Sequence, residues 1–293
     1  MVDQAEKLRK KVQMQKKRQH IQNRAKTIAV ISGKGGVGKS VFSLNFAVTL
    51  AQAGKKVLLF DLDIGMGNIE LLAGVSTNRS IAHFFTEHYS LEEIITKGPG
   101  NISIISGGTG LNDFVKLDRL RVDYFIRELN ELVKDFDYLL FDIGAGMDDE
   151  RVHFLSTVDH AFVIVTPEIT SIMDAYSAIK YVVLRIPDIK IHFIGNRMKN
   201  EKENRNVLGR INETMYRFLQ RKGEIAGFIP EDHHIRSAVK KQVPYVLDKP
   251  NSPASKRMKQ LVTDFLQEHE QGLELQKDPE SLLFKLKTFL LKR

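Results

Sequence analysis

The chain has 293 residues, 42% hydrophobic and 27% charged, a composition that fits one large soluble α/β domain or two smaller ones. It contains no cysteine, which excludes disulfides, Cys-ligated zinc and thiolate-held iron–sulfur clusters. The formal net charge of +8 sits at the ends: residues 1–26 hold nine Lys/Arg against two acids, residues 281–293 hold four Lys/Arg and no acid, and the body between is mildly acidic.

No run approaches the roughly 18 consecutive apolar residues of a spanning helix. The polar, basic start has no apolar signal region, so the expected location is the cytoplasm. Residues 1–26 read as a charged arm. From Thr27 onward, short apolar runs alternate with longer amphipathic ones. The expected strands are 27–32, 56–61, 102–106, 138–143, 161–166, 191–196 and 225–229; their continuous apolar character is that of strands buried on both faces. The expected helices are 39–53, 116–134, 171–185, 202–222 and 253–270, with Gly54 suited to end the first of them. This alternation predicts a doubly wound α/β fold, mostly parallel, with helices on both faces and right-handed crossovers. The expected division is an arm (1–26), one domain (27–270), a linker (271–280) and a terminal helix (281–293), with Asp278 and Pro279 as its opening signal.

Between the first strand and first helix lies Gly33-Lys34-Gly35-Gly36-Val37-Gly38-Lys39-Ser40, which matches G-x-x-x-x-G-K-[ST] in the context that motif requires. Glycines let successive N–H groups turn inward, and with the helix N-terminus they form an anion cradle. Lys39 is then placed for the β- and γ-phosphates of a nucleotide, and the Ser40 hydroxyl for Mg²⁺. Lys34, taken alone, reads as a solvated surface charge. Asp61 and Asp63, one residue apart at the end of the second strand, suit metal-bound water and an attacking water if the chain turns after Asp61; read alone they are turn-forming aspartates. Asp142 closes the hydrophobic run 139–141 and is followed by Gly144 and Gly146. It reads equally as a metal-holding acid or as a strand end before a glycine turn. His233 and His234 are adjacent, which argues for a loop or cap role over a metal pair.

The stretch from Lys34 to Ser40 resembles the deviant Walker A sequence of the MinD/ParA group of P-loop ATPases, a likeness that covers nearly all of residues 27–293. It implies ATP/ADP and Mg²⁺ as ligands and slow, regulatory ATP hydrolysis. It implies that Lys34 crosses to a partner's nucleotide in an ATP-dependent homodimer, that Asp61 lies near the metal shell, that Asp63 orients the attacking water and that Asp142 holds Mg²⁺ through water. It also points to Asn196 for adenine, with Pro230 and Glu231 lining the base. Where MinD usually has Ser-Pro, this chain has Ile143-Gly144.

The N-terminal "DQAEKLR" resembles the DQAxxLR motif of the FlhG family, MinD-like ATPases of flagellar number and placement; "DIGMGN" and "SGGTGL" add to that likeness. The resemblance implies that Asp3, Gln4, Leu8 and Arg9 contact the signal-recognition-type GTPase FlhF and stimulate it, and it extends to flagellar switch-complex proteins as partners. In residues 281–293, Leu282, Leu283, Leu286, Phe289 and Leu290 fall within about 120° of a helix, edged by lysines. Such a stripe suits an anionic membrane surface, and the alternative is a helix packed on the core. The expected site is the inner face of the cell membrane, reversibly occupied. Specific nucleic acid is not expected as a partner. Competing readings are a MinD-type ATPase of division-site placement, which leaves residues 1–26 unexplained, and a ParA-like DNA-partitioning ATPase, which the basic arm favours and the terminal helix opposes.

Overall fold

The computed structural model describes residues 25–63, 67–76, 79–87, 89–107, 119–270, 284 and 286–288. The chain runs β1 (Lys26–Ile31), α1 (Lys39–Gln52), β2 (Val57–Asp61), α2 (Ile69–Ala73), α3 (Ile81–Glu87), α4 (Leu91–Ile94), β3 (Ile95–Lys97), β4 (Ser103–Ile105) and α5 (Arg119–Leu132). It continues with β5 (Tyr138–Asp142), α6 (Asp149–Leu155), β6 (His160–Val165), α7 (Ile169–Arg185), β7 (Lys190–Met198), α8 (Glu201–Leu219), β8 (Glu224–Pro230), α9 (His233–Lys241), α10 (Tyr245–Asp248) and α11 (Pro253–Glu270).

Eight strands form one sheet in the order β3-β4-β2-β5-β1-β6-β7-β8. All neighbours are parallel except β3 and β4. The seven expected strands are all present, with ends shifted by one or two residues. The antiparallel edge strand β3 was not expected. It is three residues long, too short to carry a periodic signal.

Alternate residues of each strand feed two separate cores, one on each face. On one face Ala29, Ile31, Phe60 and Phe141 pack with α3 to α8; on the other Ile28, Val30, Leu59 and Phe162 pack with α1, α2, α10 and α11. Burial on both faces is why these strands read as unbroken apolar runs. The helix α1 ends where expected, with Gly54 at φ 83°. The helix expected at 202–222 stops at Leu219, where Gln220 adopts φ 53°. Asn196 lies within β7 and Pro230 ends β8; three residues later, at the two histidines read as loop or cap, the chain enters the helix α9.

The second core closes on Phe265 of α11. Its ring meets Phe162 at 5.4 Å, Phe46 at 5.7 Å and Tyr138 at 6.1 Å between centroids, two of them edge-on. Phe265→Ala is expected to cost about 3–5 kcal/mol of unfolding free energy, because the surrounding rings cannot collapse into the void. A chemical denaturation midpoint unchanged by the substitution would contradict this packing.

Candidate functional site

The C-terminal ends of the central strands converge on the turn between β1 and α1. Gly38 takes φ 89° at the helix N-terminus, a left-handed conformation that side-chain-bearing residues resist. Gly33 has a different reason: a Cβ there would lie 2.2 Å from the Asp174 carbonyl carbon of α7. The loop is therefore pressed against one helix and tied to one strand. The Asn196 amide donates to the Val37 carbonyl at 2.7 Å, and the Arg197 guanidinium donates to the Gly36 carbonyl at 3.0 Å.

Under the loop, Lys39 Nζ meets Asp142 Oδ1 at 2.8 Å, with the two side chains 8% and 1% exposed. The Ser43 hydroxyl donates to the same carboxylate oxygen at 2.9 Å. Asp61 pairs with Asp142 across the parallel β2–β5 register and is itself buried. Its carboxylate accepts from the Asp63 N–H at 3.0 Å and the Ile69 N–H at 3.3 Å. Burial, with the Asp142 carboxylate beside it, pushes the Asp61 carboxyl up to about 7. Asp63 lies two residues further along the chain, its Oδ1 3.1 Å from where a Cβ on Gly144 would lie.

At the lip of the loop, Lys34 Nζ donates to Glu168 Oε2 and Thr170 Oγ1, both at 2.7 Å. The hydrogen bond from Lys34 holds the exposed Glu168 carboxyl below its usual range. Beside this contact, Ile169 and Met173 of α7 are exposed. On the other side of the loop, a cavity of about 390 Å³ is lined by Gly38, Phe42, Asn196, Pro230, Glu231 and Tyr245, among others. It has the size and mixed polarity of a small-molecule site.

The structure thus brings together Gly33, Gly38, Lys39, Asp61 and Asp142, sets Asp63 beside them, and gathers Asn196, Pro230 and Glu231 at one cavity. Gly35, Gly36, Val37 and Ser40 complete the loop. The candidates Asp3, Gln4, Leu8, Arg9, Leu282, Leu283, Phe289 and Leu290 lie outside the described residues. Leu286 is described: it is buried in the first core, and the neighbouring Lys287 pairs with Asp123 of α5. Three polar partners escaped sequence reasoning. Ser43, Glu168 and Thr170 are ordinary residues, and two of them lie more than 130 positions from the lysine they hold. His233 and His234 open α9 behind the cap residue Asp232. Ligand-type atoms of the three lie within 4.8 Å of one another. Both Asp232 oxygens, however, already accept backbone N–H groups, from His234 at 2.9 Å and Ala254 at 3.2 Å. That is the cap role.

A glycine cradle between a central strand and its helix, with a buried lysine held by the aspartate of the adjacent strand end, defines a P-loop nucleotide-binding protein. Residues 23–266 match the family model described as ParA, NUBPL iron-transfer P-loop NTPase. The chain belongs to this ParA family of P-loop NTPases, and its similarity to FleN bears out the resemblance to MinD-like ATPases of the FlhG type. It is 32% identical to the antiactivator FleN of Pseudomonas aeruginosa over 78% of this chain and 81% of that one. It is 34% identical to the flagellum site-determining protein YlxH of Helicobacter pylori over 64% of this chain and 63% of that one. Among solved structures, the septum site-determining protein MinD of Pyrococcus horikoshii, complexed with Mg-ADP, superposes with a TM-score of 0.67 at 25% identity, covering 82% of this chain and 96% of that one.

The raised Asp61 value has a consequence for folding. A carboxyl whose folded-state value lies above its ordinary one contributes its full stability below pH about 4 and loses it as pH rises through about 7. Nucleotide-free protein is expected to lose on the order of 2 kcal/mol between pH 5 and 8 relative to an Asp61→Asn variant, whose amide does not ionise. Denaturation midpoints of the two proteins at several pH values check this; a constant difference between them would contradict it.

Proposed function

We propose that the chain is an ATP-hydrolysing switch of flagellar number and placement, alternating between a monomer and an ATP-bound dimer. The observation that carries the reading is the position of the first loop lysine, Lys34. Lys39 is buried beneath the loop, whereas Lys34 stands at its lip, its side chain 29% exposed and, among the described residues, held by the surface groups Glu168 and Thr170. A cation so placed has little to do for a nucleotide in its own cradle and is free to exchange surface partners for a neighbouring copy's phosphates. The exposed Ile169 and Met173 beside it offer apolar area for that contact.

Within each cradle, the loop N–H groups and Lys39 bind the phosphates. Asn196, Pro230 and Glu231 enclose the base in the lined cavity. The donor set fits Mg²⁺: Ser40 with two buried carboxylates, Asp61 and Asp142, is the hard oxygen environment that ion takes. Held by Ser40, Asp61 and Asp142, Mg²⁺ would supply charge neutralisation at the phosphates. Asp63 orients the attacking water, and Lys34 of the second copy completes the charge balance, much as an arginine finger supplied in trans does. The names of FleN and YlxH support a flagellar output. The N-terminal motif supports FlhF as the partner that the arm stimulates. Attachment to an anionic membrane through residues 281–293 requires Leu286 to leave the first core and Lys287 to leave Asp123. Two such helices on one dimer make attachment depend on ATP. No helix among the described residues is long and apolar enough to cross a membrane.

Light scattering on an Asp63→Ala variant in Mg-ATP is expected to report twice the monomer mass, and the monomer in ADP. Adding Lys34→Ala to that variant is expected to leave a monomer in both; a dimer that persists without Lys34 would overturn the reading. For the partner, GTP hydrolysis by FlhF is expected to rise severalfold with a peptide of residues 1–26 and to stay at baseline with Gln4→Ala in that peptide. Equal rates with and without the peptide would remove FlhF and leave the ATPase.

A further inference from the structure

Several polar side chains around the base cavity already have a partner. The Asn196 amide donates to the Val37 carbonyl, the Arg197 guanidinium donates to the Gly36 carbonyl, and the Arg236 guanidinium faces Glu231 at 3.8 Å. Both Asp232 oxygens accept backbone N–H groups. Tyr245 differs. It lines the same cavity and is 2% exposed, and its hydroxyl is buried with no hydrogen-bond partner among the described residues. Its place is fixed from two sides. As the first residue of α10 it follows Pro244, and the next N–H, that of Val246, donates to Asn45 Oδ1 of α1 at 3.2 Å. The Tyr245 carbonyl accepts from the Ser255 hydroxyl of α11 at 3.1 Å. Moving the segment so that the ring reached solvent would break both contacts.

A buried tyrosine hydroxyl ordinarily finds a partner, and one without it calls for a reason. A ring that served only to fill the core could be a phenylalanine, which has no hydroxyl to desolvate. Burial, with the Asp232 carboxylate nearby, pushes the phenol well above its ordinary value, so the group stays protonated and able to donate. A cavity lined by Phe42, Ile229 and Pro230, with a hydroxyl in its wall, suits a heteroaromatic ring that carries an acceptor nitrogen. We propose that Tyr245 is a base-contacting residue of the nucleotide site, its hydroxyl donating to a ring nitrogen of the purine. This rests on the nucleotide-binding reading of the cradle and cavity. The hydroxyl lies within the wall, so the base reaches it as neighbouring side chains shift to admit the ring. The desolvation of the hydroxyl is then offset in the complex and not before. Asn196, Pro230 and Glu231 enclose the base, and Tyr245 gives it a directional contact from the second core.

Calorimetric titration of the full-length chain with Mg-ADP, which has no γ-phosphate to lose, tests the assignment. Tyr245→Phe keeps the ring and removes the hydroxyl. It is expected to weaken ADP about three- to tenfold, the scale of one neutral hydrogen bond, and to leave the affinity for inorganic tripolyphosphate, which has no base, unchanged. Deaza analogues of ADP, each with carbon in place of one purine ring nitrogen, locate the acceptor. The analogue that lacks it is expected to bind Tyr245→Phe and the wild-type chain alike. The denaturation midpoint of nucleotide-free Tyr245→Phe is expected to match or exceed that of the wild-type chain, because the substitution removes a buried hydroxyl that has no partner. A residue that only packs the core would move ADP and tripolyphosphate together. Full ADP affinity in Tyr245→Phe, equal losses for ADP and tripolyphosphate, analogues all equally sensitive to the substitution, or a lowered midpoint would overturn this assignment alone. A wild-type chain that binds no ADP would overturn the nucleotide reading and this assignment with it.

Discussion

Lys39 and Asp142 meet where water is almost excluded, and most of the molecule serves to keep them there. Taking two opposite charges out of water is costly, and their attraction repays that only with good geometry and satisfied remaining bonds. Here the geometry is supplied by a 2.8 Å contact and by the Ser43 hydroxyl on the same oxygen. The position of Asp142 is set by β5, at the centre of the sheet between β1 and β2. The position of Lys39 is set by the first turn of α1, whose aromatic face is locked against Phe162 and Phe265. Removing one partner of such a pair costs on the order of 3–5 kcal/mol. Fold stability therefore depends on the same two side chains that the proposed function assigns to phosphate and metal.

Around that pair the rest of the site is built in layers. Asp61 stands next to Asp142 because the two strands are in parallel register, and that proximity, with burial, raises its proton affinity. Asp63 and Gly144 are brought together because both strand ends open into the same crevice. Lys34 is pushed to the lip because Gly33 allows the loop to lie against the backbone of α7. The two lysines of the loop thus end in opposite environments. One is neutralised inside the chain, and the other is held by groups it can exchange at little cost.

The sheet was legible because burial on both faces writes itself as apolar runs, and the phosphate loop because its glycines and lysine occur in a strand–helix context. A three-residue element such as β3 left no period to read. The two histidines read as loop or cap because α9, only nine residues long, is rich in charge and histidine. Glu168 and Thr170 were invisible for another reason. Their role comes from Lys34, more than 130 positions away in the chain, and no local pattern marks a residue whose partner is so remote. Leu286 shows the converse. Its place on an apolar stripe was legible, and the stripe fits core packing as well as a membrane surface, the two readings that sequence alone left open.

The central claim is that Lys34 acts on the nucleotide of a second copy. Mixing two inactive variants tests it directly. In a mixed pair of Lys34→Ala and Asp63→Ala chains, one cradle keeps its own Asp63 and receives an intact Lys34 from its neighbour. ATP hydrolysis is then predicted to reappear on mixing and to peak at equal amounts of the two proteins. Hydrolysis that stays at the sum of the separate variants at every ratio would mean that Lys34 works only within its own chain, and would contradict the account.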